Sequence, residues 1–184
     1  MQERASLAGL VRERFAAPLS ITITGAIFLV SQASIAWVLH RGDAALALIT
    51  LQTTFDPAAF DAVMSSLNHD QVSALKGHFL FDFLHPLWYG AFALLLLAWL
   101  FECNRVPGCF NALLWGAPLM ALLDLLENLV HLPLITGHLQ VSALPVAFAA
   151  TCATLKWGIA AAFLVLSVAL ILRMLALGKT ATRI

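Results

Sequence analysis

A chain of 184 residues with 61% hydrophobic and 11% charged side chains lies far from a soluble domain, where about 25% of residues are charged. Its mean hydropathy of +0.91 points to a membrane protein, and its length fits one domain, residues 1–184. Ten basic and ten acidic residues cancel, which argues against nucleic acid as a partner and against a polybasic lipid patch.

In chain order, Met1 to Ala17 is polar and charged and lacks the pattern of a cleaved secretory signal. The first apolar run, 18–39, is too long for a signal and reads as a retained helix. Three further runs, 79–101, 111–134 and 145–172, each reach the roughly 20 apolar residues that a bilayer-spanning helix needs. Helix is the expected conformation because an open strand would leave backbone groups unpaired in lipid. The fold class is therefore all-α, an integral membrane bundle of four transmembrane helices.

Between the first two runs lies a long loop, 40–78. Ala44 to Leu51 is apolar. Asp56 followed by Pro57 is a helix start, with an N-cap before a proline in the first turn. Ala59, Phe60, Val63, Met64 and Leu67 then recur at helical spacing, so the loop is expected to form short amphipathic helices at the membrane surface. The two later connections are short. Cys103 and Cys109 flank one of them. With no CxxC pair, these and Cys152 read as free thiols.

Basic residues set the expected orientation. Arg4, Arg12 and Arg14 precede helix one, Arg105 lies between helices two and three, and Arg173, Lys179 and Arg183 end helix four. The opposite side has only Arg41 and Lys76. Both termini are expected in the cytoplasm and the long loop outside, in a bacterial inner membrane.

The apolar runs contain charges. Helix two carries Asp82 and His85, helix three Asp124, Glu127 and His131, and helix four Lys156. Each ionisable residue costs roughly 2.5–3.5 kcal/mol at the bilayer centre by insertion scales, so these must face one another, water or a ligand. Asp124, Glu127, Asn128 and His131 sit at i, i+3, i+4 and i+7, one helix face, as do Asp82, His85 and Tyr89. Helix one adds Gln32, Ser34 and His40 at the same end. The constellation is expected in the outer half of the bundle, beneath the amphipathic loop.

Four chemistries fit these residues. Crowded carboxylates in low dielectric separate into acid and base, which makes Asp82, His85, Asp124, Glu127, His131 and Lys156 the candidate catalytic set of an isomerase, hydrolase or cyclase. Its lipid-like or apolar substrate would be lined by Gln32, Trp88, Tyr89, Asn128 and Trp157. A second reading uses Asp82, His85, Asp124, Glu127 and His131 as ligands of a divalent metal cofactor. A third is an Asp82–Asp124 dyad of the signal-peptidase kind, without that family's asparagine-glycine stretch. A fourth is non-catalytic, a ligand-binding protein such as a sensor, an ion or proton path, or an accessory subunit of a membrane complex; the partner expected besides such a complex is a second copy, in a homodimer. Polar side chains that merely join helices are the plain alternative to all four.

The stretch Phe81-Asp82-Phe83-Leu84-His85-Pro86-Leu87-Trp88-Tyr89-Gly90, with Asp124-Leu125-Leu126-Glu127-Asn128 and Thr154-Leu155-Lys156-Trp157, resembles a group of small bacterial four-helix membrane proteins. That resemblance implies no activity. It groups Asp82, Pro86, Tyr89, Asp124, Glu127, Asn128 and Lys156 in one pattern. In architecture alone the chain is similar to the emopamil-binding and sigma-2 receptor superfamily, which implies a bundle with acidic residues around an apolar cavity.

Overall fold

A computed structural model describes residues 7–181, with side chains up to residue 176. Of the basic residues used for orientation, Arg4 and Arg183 lie outside the described residues, and the side chain of Lys179 does too. All described regular structure is helical. A short N-terminal piece, α1 (Leu7–Leu10) with a π-turn over Val11–Phe15, leads into α2 (Pro18–Arg41), α3 (Ala45–Thr53), α4 (Pro57–Ser66), α5 (His69–Asp82) and α6 (His85–Cys103). A 3-10 segment, Gly108–Trp115, then opens α7 (Gly116–Thr136), and α8 (Ala143–Ala181) closes the chain.

Four stretches are long and apolar enough to cross a membrane: Pro18–Arg41, His85–Cys103, Gly108–Thr136 and Ala143–Ala176. Three match the expected runs within a few residues. The second is corrected. Its apolar span begins at His85, and Asp82 is the last residue of a separate preceding helix. The break has a chemical origin. Pro86 has no N–H to return to the carbonyl of Asp82, so the helical ladder is interrupted there.

The long loop forms the expected short helices, α3 and α4, and adds α5, which its sequence reading leaves out. It is almost wholly helical, with α3, α4 and most of α5 inside it. Asp56 caps α4 as expected, accepting from the backbone amides of Ala58 and Ala59, and Pro57 is the first helical residue. Phe60 buries completely, while Val63, Met64 and Leu67 pack beside it and Ala59 stays exposed. The α5 start carries a capping box: Asn68 accepts from the Gln71 amide, and the Gln71 side chain accepts from the Asn68 amide.

The bundle packs α2 on α6, α6 on α7 and α7 on α8, with α5 wedged between α2 and α7. α3 and α4 lie against α8. One apolar core joins these short helices to the ends of α2, α7 and α8 through Leu39, Leu48, Leu51, Phe60, Leu75, Phe79, Leu134 and Val146. A second, at the other end, holds Leu97, Leu100, Phe101, Leu114 and Leu170. Glycine serves the geometry at Gly90 and at Gly137. A Cβ on Gly90 would stand 3.0 Å from the Cβ of Ala121, so α6 and α7 approach closely there. Gly137 ends α7 with φ +76, a left-handed cap that glycine adopts without penalty.

Candidate functional site

The four polar residues at helical spacing on α7 all turn inward: Asp124, Glu127, Asn128 and His131 are buried. Lys156 comes from α8, the helix that packs most extensively on α7. Its ammonium stands 2.6 Å from Asp124 Oδ1 and 2.5 Å from Glu127 Oε2, joining the two carboxylates in one ion-pair network. Tyr89 on α6 donates its hydroxyl to Asp124 Oδ2 at 2.9 Å. Glu127 Oε1 lies 3.2 Å from His131 Nδ1. The ring of Phe60 stacks over His131 from α4, with centroids 6.1 Å apart.

Asp82 reaches the group from α5, and Asn128 holds it there. The Asn128 side-chain amide donates to the Asp82 carbonyl at 3.1 Å. That carbonyl is the one Pro86 leaves without its helical partner. Asn128, expected to bind substrate, is thus placed as a clasp on the α5–α6 break. The carboxyl of Asp82 lies 3.7 Å from Nε2 of His78, one turn earlier on α5. Both groups lie on α5, between the first and second apolar spans. Burial, reinforced by the nearby Asp124 charge, lifts the Asp82 carboxyl to about 7. Burial pushes His78 down to about 4.

Several expected members stand elsewhere. His85 is buried but directs Nδ1 to the hydroxyl of Ser31, 3.0 Å away, between the rings of Phe28 and Tyr89. A histidine one residue into a new helix faces α2, not α7. Gln32 and His40 are exposed, and Ser34 turns its hydroxyl to the Val30 carbonyl, while Ser31 is an α2 residue that meets His85. Trp157 is 56% exposed, although Lys156 Nζ lies 5.5 Å from its ring centroid. Trp88 is half-buried and makes no polar contact with the cluster among the described residues. Glu102, at the far end of α6, pairs with Arg12 at 2.6 Å.

His78 was missed because it falls in the segment taken for loop. The signal was present: Asn68-x-x-Gln71 is a capping box, and the helix it starts puts His78 and Asp82 four residues apart. The metal reading loses its donor set. Among the described residues no three His, Cys, Asp or Glu side chains converge to hold a metal ion. Lys156 occupies two of the carboxylates and His85 points away. The cysteines are free, with Cys103 and Cys109 exposed and Cys152 buried.

An apolar groove of about 390 Å³ lies between α6 and α7, lined by residues such as Pro86, Gly90, Leu94, Ala121 and Leu125. It occupies the outer side of the helix pair, whose adjoining faces carry Tyr89 and Asp124. Comparison with protein-family models, with curated proteins and with solved structures finds no match.

Proposed function

We propose that the chain is an integral membrane enzyme whose buried cluster carries out acid/base chemistry, of isomerase, hydrolase or cyclase type, on a lipid-like substrate. One observation carries the reading: three buried carboxylates, Asp82, Asp124 and Glu127, stand against the single ammonium of Lys156. A charge-balanced structural pair needs one carboxylate per ammonium. Two uncompensated negative charges in low dielectric cost too much, so the surplus is relieved by protons. A carboxylic acid and a carboxylate then coexist in one site, which is the minimum equipment for proton transfer in both directions.

Asp82 is the carboxyl outside the Lys156 ion pairs and is the natural proton-exchanging member. Lys156 pairs with both Asp124 and Glu127, and Tyr89 fixes the orientation of Asp124. The α6–α7 groove supports lateral access, since an apolar chain fits it and separation of the Gly90–Ala121 contact would lead toward Tyr89 and Asp124. The orientation that basic residues favour puts both termini in the cytoplasm and α3–α5 on the outer face of a bacterial inner membrane.

A second reading, a non-catalytic bundle or accessory subunit, is favoured by the direct contact of Lys156 with both carboxylates and by the closed packing around them. The two separate in one experiment. Total lipid extracts are compared by mass spectrometry from cells expressing the wild type and Asp82→Asn, which leaves the Lys156 contacts in place. The enzyme reading expects lipid species that change with the wild type and not with the variant at equal protein level. Identical extracts would favour the structural reading.

A further inference from the structure

His78 belongs to none of the sites expected from the sequence, and its ring has one defined role and one unfilled one. Nδ1 faces the carbonyl of Leu75. A carbonyl only accepts, so Nδ1 carries the proton and Nε2 presents a lone pair. That lone pair is buried, on a residue 1% exposed, and has no hydrogen-bond partner among the described residues. Its neighbour is Asp82 Oδ2 at 3.7 Å, too far for a direct hydrogen bond.

The surroundings are short of donors in the same way. Oδ1 of Asn128 is buried and unpartnered while its amide is committed to the Asp82 carbonyl. The Glu127 oxygens touch Lys156 and His131 but make no hydrogen bond of good geometry. Every unfilled atom here can act as an acceptor. Leaving a buried acceptor unpaired carries its full desolvation penalty, so the His78 lone pair calls for a donor.

We propose that His78 Nε2 and Asp82 Oδ2 form an acceptor subsite that takes an O–H group. The O–H donor is a water molecule or the hydroxyl of an apolar alcohol. This rests on the acid/base reading above and gives it a substrate chemistry: a donor held against Asp82 is a group whose proton that carboxyl can exchange. His78 is then a positioning residue, orienting the O–H through its lone pair.

The test is nitrogen-15 NMR of the full chain, labelled at histidine and reconstituted in phosphatidylglycerol–phosphatidylethanolamine bilayers, near neutral pH. Nε2 of His78 is assigned from His78→Gln, or by elimination with the five other histidines changed to Gln one at a time if that variant does not fold. The expected signal is an unprotonated Nε2 moved upfield by accepting a hydrogen bond. A cross-peak to water protons identifies water as the donor. A further shift with 1-dodecanol, absent with dodecane, identifies an alcohol hydroxyl. A protonated Nε2, or a bare lone pair in every sample, overturns the proposal. The lipid extracts address catalysis separately, so a filled subsite with unchanged extracts sinks the enzyme reading alone.

Discussion

Lys156 divides one ammonium between Asp124 and Glu127, and this makes the cluster sensitive to single changes. Lys156→Met leaves two buried carboxylates without their cation, and losing one partner of a buried pair costs about 3–5 kcal/mol. The triple change Asp124→Asn, Glu127→Gln, Lys156→Met removes charge of both signs. Thermal unfolding in detergent should therefore show the triple variant more stable than Lys156→Met alone. His78 gives a pH-dependent prediction. Its folded value, about 4, lies below the ordinary 6.5. The unfolded chain binds that proton first as pH falls, so the stability contributed by neutral His78 is complete above 6.5 and declines toward 4. Asp82, lifted to about 7, works in the opposite direction: its folded form holds a proton that the unfolded one releases above 3.8. Comparison with His78→Gln isolates the histidine: the melting temperature of the wild type relative to the variant should fall between pH 7 and pH 5.

At the scale of elements, the α5–α6 break is a chemical pairing between two helices. Pro86 frees the Asp82 carbonyl and Asn128 satisfies it. Asn128→Ala should cost about 1–3 kcal/mol by leaving a buried acceptor unpaired. In a Pro86→Ala background, the restored N–H can serve that carbonyl within the helix, and the Asn128→Ala penalty should shrink. A double-mutant cycle by thermal unfolding measures the coupling; purely additive effects would contradict the clasp. The α7 face was legible because four polar residues at i, i+3, i+4 and i+7 within an apolar helix have one inward solution. The break was not legible as a clasp, since a proline in sequence says which carbonyl loses its partner but not what replaces it. His85 misled for a related reason: its spacing from Asp82 assumed one continuous helix.

Across the whole molecule, the acidic cluster and the short helices α3–α5 gather at one end, and the Arg12–Glu102 pair holds the other. Exposed Cys109 and a cysteine placed at exposed Ser65 mark the two ends. If the basic residues orient the chain as argued, a membrane-impermeant thiol reagent applied to spheroplasts should label Ser65→Cys. It should label Cys109 only after the membrane is opened. Labelling in the reverse order would invert the topology. By itself the sequence determined the helical class, the four apolar spans, the capped start of α4 and the inward face of α7. These depend on hydropathy, periodicity and local capping, which act within a few turns of one helix. The tertiary structure decided which carboxylates Lys156 bridges, that His85 turns to Ser31, that Asn128 holds the Asp82 carbonyl and that His78 enters the site. Each is a meeting of side chains tens of residues apart or on elements hidden in an apparent loop. Such meetings are fixed by how helices pack around Gly90, Pro86 and Phe60, and no local pattern encodes that packing.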